Sequence, residues 1–315
     1  MHFAFPPRKS SHSHPYAARS SRSPFLRRTR LPQYLGLFAL AAFCLYFLFL
    51  RSPAPTKPPP GTPGAVVITV MDPNLSKSYV EAIRDNRKDY AARHDYPLGD
   101  SPKSWSTVPA LRHAMTLYPH TPYFFYLTST ALIMNPSLSL HSHIMAPTRL
   151  ESLTLTDIPV VPPDSVIKTF SHLRGDRIDF VMTQDQEGLA GGSLVLRSGE
   201  WAKYFLDAWF DPLYRSYNFQ KAEAHALEHI VQYAILFSNF WLRWHGTILA
   251  KLALVPQRIL NSYTRDQSGR TDGIYVEGDF VANFHGCQRD ENRDCEEEMQ
   301  PLLSRWREIR DRERH

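Results

Sequence analysis

Hydrophobic positions follow two different patterns along the chain. Residues 34–50 form a single uncharged apolar run, YLGLFALAAFCLYFLFL. From residue 65 onward, short apolar runs alternate with stretches of helical character. The runs at 65–71 (AVVITVM), 123–127 (YFFYL) and 178–182 (IDFVM) are rich in β-branched and aromatic residues. Such runs are typical of strands that are buried on both faces of a parallel sheet.

Helices are predicted between these strands. The predicted helices cover residues 75–93, 109–118, 200–210 and 220–232, and further strands cover 193–196 and 280–284. Strands that alternate with helices predict an α/β domain, here over residues 65–300, with a mostly parallel sheet flanked by helices. No G-x-G-x-x-G follows the first strand and the sequence contains no P-loop, so a dinucleotide-binding fold is not favoured.

The positive charge of the chain is concentrated at its amino terminus. The formal net charge is +5, and residues 1–30 contain seven arginines and lysines but no acidic residue. Subtracting those seven charges from +5 leaves −2 on the rest of the chain. The basicity therefore belongs to a tail, residues 1–33, which is expected to be disordered and cytosolic. A nucleic-acid partner is not expected.

The apolar run at residues 34–50 is predicted to be a transmembrane signal-anchor helix. Its length of about 25 Å, at about 1.5 Å per residue, is the lower limit for a span. The alternatives are a cleaved signal peptide and a buried core helix. The run ends in Phe-Leu-Arg-Ser-Pro, a poor cleavage context, and it has no polar face. The basic residues before it favour a single-pass type II topology.

In this topology the segments after the anchor face the lumen. Residues 51–64 are rich in proline and are expected to form an extended stem. Residues 65–300 follow as the luminal domain. Residues 301–315 are predicted to form a charged C-terminal helix.

Two features of the predicted luminal part are candidates for covalent modification. The N-glycosylation sequon Asn74-Leu75-Ser76 would be exposed to the modifying enzyme. Cys287 and Cys295 lie close together, and the lumen permits oxidation. They either form a small disulfide loop or remain separate thiols.

Several short stretches of the predicted domain, in this order, resemble a known family. They resemble the fungal Golgi α-mannosyl- and α-galactosyltransferases (glycosyltransferase family 34), especially the α-1,6-mannosyltransferase subunit branch. The resemblance runs from about residue 65 to residue 295. The stretches are SWSTVPALR (104–112), ALIMNP (131–136), PPDSVI (162–167), QDQEGL (184–189) followed by Gly192-Ser193, GEWA (199–202), YRSYNF (214–219) and GDF (278–280).

The resemblance implies a GT-A-like fold on a luminal domain anchored in the Golgi membrane. It implies transfer of mannose from GDP-mannose to a glycoprotein glycan, with an α-1,6-linked mannan as the product. It also implies a complex with other mannosyltransferase subunits and Mn²⁺ as the cofactor. The metal would neutralise negative charge on the diphosphate leaving group.

The metal-binding motif of that family, Asp-x-Asp, is replaced in this chain. The matching positions read Thr128-Ser129-Thr130, which the resemblance keeps as donor-binding residues. Threonine hydroxyls can contact a metal but cannot supply its countercharge, so Mn²⁺ affinity should fall sharply. The position of the family's metal-binding histidine reads Asn283. His285 is a candidate metal ligand if it shares the face of residue 283 in a strand.

Candidate catalytic residues follow the strand predicted at 178–182. Asp185 and Gln186 lie where α/β sheets place ligand-binding groups, and the resemblance implies contact with sugar or acceptor hydroxyls. A carboxylate that caps a turn is the alternative. Gly192 and Ser193 are candidate donor-binding residues because glycine permits close approach of the backbone, although a simple turn explains them equally well.

One motif points to a different chemistry. His225-Ala-Leu-Glu228-His229 matches the H-x-x-E-H pattern of zinc peptidases, in which the two histidines share a helix face. No clear third ligand follows downstream, so a half-exposed helix is the favoured interpretation.

Two functions stay open at the level of sequence. One is an active α-1,6-mannosyltransferase, and the other is a catalytically inactive subunit that supports active partners. The missing Asp-x-Asp favours the second. Two segments also depart from the family pattern. The segment 96–102 is shorter than the strand and loop that the family has at this place, and residues 233–243 form an aromatic-rich insertion.

Overall fold

The structure, a computed structural model, describes residues 31–46, 58–101, 106–161, 165–216, 223–233, 248–266 and 268–314. The chain forms two compact units, residues 1–57 and 58–315. The described part of the first unit is helix α1 (Leu31–Leu45). Across the described ranges, no helix is both long enough and apolar enough to cross a membrane. Residues 47–50 of the predicted anchor lie outside these ranges.

The second unit is built on a six-stranded sheet. Its strand order is β2-β1-β3-β6-β5-β7. The strands are β1 (Ala65–Val70), β2 (Leu98–Ser101), β3 (Tyr123–Leu127), β5 (Phe180–Asp185), β6 (Gly188–Arg197) and β7 (Leu252–Val255). A small second sheet has the order β4-β9-β8, with β4 (Ala131–Ile133), β8 (Ser262–Tyr263) and β9 (Val281–Asn283).

Helices cover the sheets. They are α2 (Lys77–Arg93), α3 (Thr107–Leu117), α4 (Pro147–Leu153), α5 (Glu200–Trp209), α6 (Pro212–Ser216), α7 (Glu223–Tyr233), α8 (Gln257–Leu260) and α9 (Cys295–Arg314). Helix α2 begins where Ser76 accepts a hydrogen bond from the backbone N–H of Tyr79 (3.1 Å), an N-cap that satisfies one of the unpaired donors of the first turn.

The main sheet is mixed, so the prediction of a mostly parallel sheet holds only in part. Strand β6 runs antiparallel to both of its neighbours, β3 and β5, whereas the other three pairings are parallel. The sequence pattern did not reveal this reversal because β6 follows β5 after a two-residue turn, Gln186-Glu187, and the predicted strand at 193–196 covers only its second half. The α/β class itself is confirmed.

Both faces of the main sheet are buried. On β1, Val66 and Ile68 pack into one apolar cluster with α3, α5 and α7, and Ala65 and Val67 pack into a second cluster on the opposite face. This alternation follows from the two-residue period of a strand. A strand that is buried on both sides must be apolar throughout, which is what the run AVVITV shows.

A third apolar cluster supports the small sheet. Leu132 of β4 and Ala282 of β9 pack there against Trp306 of α9. Cys287 belongs to the same cluster and forms a disulfide with Cys295, the first residue of α9. Of the two alternatives for these thiols, the structure therefore contains the covalent link.

The strand directions bring several strand ends to one edge of the main sheet. Strands β3 and β5 point the same way, because each is antiparallel to β6. Their carboxyl ends therefore lie at the same edge, together with the start of β6. This is the edge at which α/β sheets bind their ligands. Thr128 follows β3 directly, and Asp185 is the last residue of β5.

Candidate active site

A cleft of about 280 Å³ opens at this edge of the sheet. It is lined from four directions, by the turn after β3, the β5–β6 hairpin, α7 and the segment after β9. Its polar lining residues are Thr107, Tyr126, Thr128, Thr130, Asp185, Glu187, Glu223, Glu228, Tyr263, Asn283, His285, Gln288 and Arg289.

The turn of residues 128–130 connects the main sheet to the small sheet. The N–H of Thr128 donates to the carbonyl of Gly192 (2.9 Å), which ties the turn to β6. The hydroxyl of Thr130 donates to Oδ1 of Asn283 (3.0 Å). Thr128 and Thr130 line the cleft, and their role in donor binding stays a prediction. The side chain of Ser129 is buried, with Gln288 Nε2 at 3.5 Å from its hydroxyl.

Two buried asparagines stiffen the floor of the cleft. Asn283 Nδ2 donates to Oδ1 of Asn261 (2.8 Å), and both side chains are fully enclosed. Gly192 lies against them, because a Cβ at this position would be 2.5 Å from Asn283 Nδ2. The close backbone approach that the sequence suggests for Gly192 is therefore an approach to the asparagines. Ser193 is fully buried in β6 and is not among the cleft-lining residues.

Asp185 lies in the cleft wall with both carboxylate oxygens engaged. Oδ2 accepts a hydrogen bond from the Tyr263 hydroxyl (2.6 Å), and Oδ1 accepts from the N–H of Glu187 (2.8 Å). Asp185 is only 3% exposed. Burial, reinforced by the charge of Asp185, raises the pKa of Tyr263 well above its ordinary value, so Tyr263 stays a hydrogen-bond donor. His285 stacks on the Tyr263 ring with centroids 4.5 Å apart.

Gln186 lies on the other side of this aromatic pair. It lines a second cavity of about 240 Å³, which shares Tyr263 and His285 with the main cleft. Among the described residues, Gln186 Oε1 is buried and accepts no hydrogen bond. Asp185 and Gln186 therefore face two adjoining cavities, and their catalytic roles stay predictions.

Helix α7 contributes two further carboxylates. Glu223 accepts a hydrogen bond from the N–H of Thr107 (3.2 Å), and burial raises its pKa. Glu228 accepts from the N–H of Leu189 (3.1 Å) and fixes α7 against the start of β6. This contact requires glycine at position 188, which has φ +135° and where a Cβ would be 1.9 Å from Glu228 Oε1.

The H-x-x-E-H motif is thereby explained without zinc. Glu228 bonds to the backbone of β6, and Nδ1 of His229 lies 3.3 Å from the Tyr214 hydroxyl. Burial lowers the pKa of His229. No group of three or more His, Cys, Asp or Glu side chains that could hold a metal occurs within the described ranges.

The residues at and near the turn can be compared with the ligands that the expected Mn²⁺ would need. The turn offers only hydroxyls, and the oxygens of Asp185 already accept from Tyr263 and Glu187. Strand β9 ends at Asn283, so His285 lies beyond the strand and the register argument for it does not apply. Since Mn²⁺ prefers anionic oxygen ligands, the residues present at the turn do not fit this metal.

Other predicted positions have simple surroundings. Asn74 is exposed in a turn, where its N–H donates to Asp72 Oδ1 (3.1 Å), and its glycosylation stays a prediction. The short segment 96–102 contains edge strand β2, which pairs in parallel with β1. The aromatic insertion at 233–243 lies, apart from Tyr233, outside the described residues.

Sequence reasoning missed the residues that support the site from behind. Arg87 of α2 is fully buried and donates to the carbonyls of Thr128 (3.1 Å) and Ala131 (2.6 Å). Tyr79, also on α2, donates to the carbonyl of Ser129 (3.0 Å). An arginine within a helix is usually solvated, so the sequence carries no signal that distinguishes Arg87.

Comparison with known proteins identifies the family of this sequence. The profile of the galactosyl transferase GMA12/MNN10 family matches residues 61–295. A Schizosaccharomyces pombe protein named an uncharacterized α-1,2-galactosyltransferase is 29% identical over 301 residues, which cover 82% of this chain and 88% of the relative. The probable α-1,6-mannosyltransferase MNN10 of Saccharomyces cerevisiae is 30% identical over 238 residues, covering 69% of this chain and 57% of that relative.

Among solved structures, a glycosyltransferase involved in glycosylation of the major capsid of PBCV-1 superposes with a TM-score of 0.45 and 10% identity. The superposition covers 76% of this chain and 99% of that one. The family assignment rests on the sequence matches, which span most of the second unit. The chain belongs to the galactosyl transferase GMA12/MNN10 family of glycosyltransferases.

Proposed function

We propose that this chain transfers mannose from GDP-mannose to a glycoprotein glycan, forming an α-1,6 linkage. We place this activity in the Golgi lumen, on a single-pass type II membrane protein that works with other mannosyltransferase subunits. The family membership supports a nucleotide-sugar donor. The relative named a probable α-1,6-mannosyltransferase supports mannose and the linkage.

The observation that carries the proposal is the position of Asp185 in the cleft. Its carboxylate ends a sheet strand, faces the cleft and is held by Tyr263 and the N–H of Glu187. A carboxylate fixed by two donors cannot rotate freely, so an incoming sugar hydroxyl meets a preorganised acceptor. Glu223 and Glu228 add acceptors from the α7 side. Several fixed carboxylates suit a substrate that presents many hydroxyls.

A second donor, UDP-galactose, is favoured by a specific observation. The relative that this chain covers over 88% of its length is named an α-1,2-galactosyltransferase, whereas the mannosyltransferase relative is covered over 57%. Both donors carry a hexose on a nucleoside diphosphate. The cleft geometry described above serves either hexose.

The alternative to catalysis is a structural subunit of a mannosyltransferase complex. It is favoured by the hydroxyls of Thr128 and Thr130 at the position where the resemblance expects metal-binding carboxylates. The active enzyme is favoured instead by the position of Asp185, since its carboxylate ends a sheet strand at the cleft and is held in one orientation by two donors.

The test is sugar transfer by the full chain in detergent. GDP-mannose and UDP-galactose would be supplied separately with a mannan oligosaccharide acceptor, and the product linkage determined by methylation analysis. We expect transfer of mannose and loss of at least 100-fold of the rate in Asp185→Asn, with Asp207→Asn on the exposed side of α5 as the matched control. If only galactose were transferred, the donor would be UDP-galactose and not GDP-mannose. If folded protein transferred neither sugar, the role of structural subunit would be supported.

A further inference from the structure

The turn of residues 128–130 carries two backbone donors with no acceptor. Among the described residues, nothing accepts a hydrogen bond from the N–H of Ser129 or from the N–H of Thr130. Both residues are less than 10% exposed, at 5% and 7%. These two consecutive N–H groups are therefore available to an acceptor that enters from outside the turn.

The direction of these donors follows from the contacts of the neighbouring carbonyls. The carbonyl of Thr128 accepts from Arg87, and the carbonyl of Ser129 accepts from Tyr79, so both point toward α2. In a trans peptide the N–H points opposite to the carbonyl. The N–H groups of Ser129 and Thr130 therefore point away from α2. Of the three turn residues, Thr128 and Thr130 are among those that line the cleft.

A positive charge lies directly behind the turn. Arg87 is fully buried and donates to Thr69, Asn86 and the carbonyls of Thr128 and Ala131. No carboxylate among the described residues is paired with it. Burial lowers its pKa to about 9, which still leaves the guanidinium charged at neutral pH. A buried charge without an anion is unfavourable, and in a low dielectric its field reaches the cleft with little screening.

The acidic residues of the cleft belong to other walls. Asp185 pairs with Gly188 at the start of β6, whereas the turn is bonded to Gly192, four residues further along the same strand. Gly192 lies in the irregular stretch of β6 between Ala190 and Leu194, where the pairing with β5 shifts register. A ligand at the turn therefore meets N–H donors and hydroxyls, and its far end can reach the carboxylates.

We propose that the Thr128–Thr130 turn binds the diphosphate of the nucleotide sugar directly, through the N–H groups of Ser129 and Thr130, with Arg87 as the countercharge and without a divalent cation. This inference rests on the proposed nucleotide-sugar donor and concerns how that donor is held. Consecutive backbone N–H groups form an anion-binding concavity. Arg87 acts through the turn and is a positioning residue. The turn thus replaces the charge neutralisation that the absent carboxylates and their metal would provide.

Binding of GDP and of inorganic pyrophosphate to the full chain tests the inference. Titration calorimetry would be run in EDTA and in Mn²⁺. We expect both probes to bind in EDTA, with a Kd within threefold of that in Mn²⁺. Ser129→Pro, which removes one donor, should weaken both probes at least tenfold. Ser129→Ala keeps the N–H and should stay within twofold.

A measurement on the unmodified chain guards against misfolding of the proline variant. The amide ¹⁵N resonances of Ser129 and Thr130 should shift on addition of pyrophosphate in EDTA, more than those of exposed turn residues such as Ser268. GDP binding only with Mn²⁺ would overturn the inference and leave the proposed function standing. Metal-free binding of GDP without sugar transfer would support the diphosphate site and overturn the proposed transferase activity. Amide resonances that do not move while pyrophosphate binds would also overturn it.

Discussion

The Tyr263 hydroxyl and the Asp185 carboxylate form a buried hydrogen bond of 2.6 Å that joins the small sheet to the end of the main sheet. Tyr263 belongs to β8 and Asp185 to β5, and both side chains are almost fully enclosed. The bond holds Asp185, the cleft carboxylate that ends strand β5. It also sets the orientation of the Tyr263 ring, on which His285 stacks.

Replacement of Tyr263 by Phe should therefore affect both stability and transfer. The buried Asp185 oxygen would lose its donor, and a hydrogen bond to a charged group contributes about 1.5–3 kcal/mol. We expect the free energy of unfolding in urea to fall by about 2 kcal/mol. Tyr275→Phe is the matched control, since no hydrogen bond of the Tyr275 hydroxyl occurs among the described residues, and it should change stability by less than about 0.5 kcal/mol. Equal losses in the two variants would contradict the role assigned to this bond.

Gly188 is predicted to be irreplaceable because of Glu228. An Ala at this position would adopt an unfavourable φ of +135°, and its Cβ would collide with the carboxylate of Glu228. We expect Gly188→Ala to lower the free energy of unfolding by about 2–3 kcal/mol, through backbone strain and displacement of Glu228. Gly191→Ala lies on the same strand, where an added methyl group would have no atom within 4 Å, and should be nearly neutral. Chemical denaturation of both variants provides the measurement.

The disulfide between Cys287 and Cys295 should stabilise the segment after β9. A loop of about eight residues corresponds to about 2.5 kcal/mol in the chain-entropy description. Unfolding of the Cys287→Ser/Cys295→Ser variant should need correspondingly less urea, and dithiothreitol should reduce the stability of the unmodified chain by the same amount. Cys44→Ser is the control. An unchanged midpoint after reduction would show that this link does not constrain the unfolded chain.

Much of the fold follows from local pattern. The strand at 123–127 is found with the predicted bounds, and β1 and α5 differ from their predictions by a single residue. These elements are buried on both faces or strongly amphipathic, so tertiary contacts and local preference agree. Strands β4, β7 and β8 were missed because they are two to four residues long and depend on partners distant in sequence.

Site residues could be predicted only where a functional side chain follows a predicted strand or matches a motif of the family. Asp185 was predicted from its position after a strand and Thr128 from the family resemblance, and both line the cleft. Arg87 lies 41 residues before the turn it supports, and Tyr263 lies 78 residues after Asp185. Such pairs are created by the topology of the sheet, and a single sequence contains no signal for them.

The raised pKa of Glu223 predicts a pH dependence of stability. A carboxyl group whose pKa is higher in the folded protein than its ordinary 4.5 binds more protons when folded, so its contribution to stability falls as pH rises above about 4.5. Glu223→Gln cannot ionise. The free energy of unfolding of the variant minus that of the unmodified chain should therefore increase between pH 4 and pH 8. Glu200→Gln is the control, because it removes an exposed carboxylate whose pKa is lowered by Lys203. For this variant, the free energy of unfolding minus that of the unmodified chain should not increase over the same pH range.

The double substitution Thr128→Asp/Thr130→Asp should restore a metal site and abolish metal-free binding. Two carboxylates at the turn would supply the anionic oxygens that Mn²⁺ prefers, so we expect Mn²⁺ binding to strengthen at least tenfold, measured by the loss of the free Mn²⁺ electron paramagnetic resonance signal. Without metal, the same carboxylates would repel the diphosphate, and GDP binding in EDTA should fall at least tenfold. Thr128→Asn/Thr130→Asn has nearly the same shape without the charge. If the Asn variant lost GDP binding to the same extent, steric change and not charge would explain the effect. If the Asp variant bound GDP equally well in EDTA and in Mn²⁺, the turn would not be the diphosphate site.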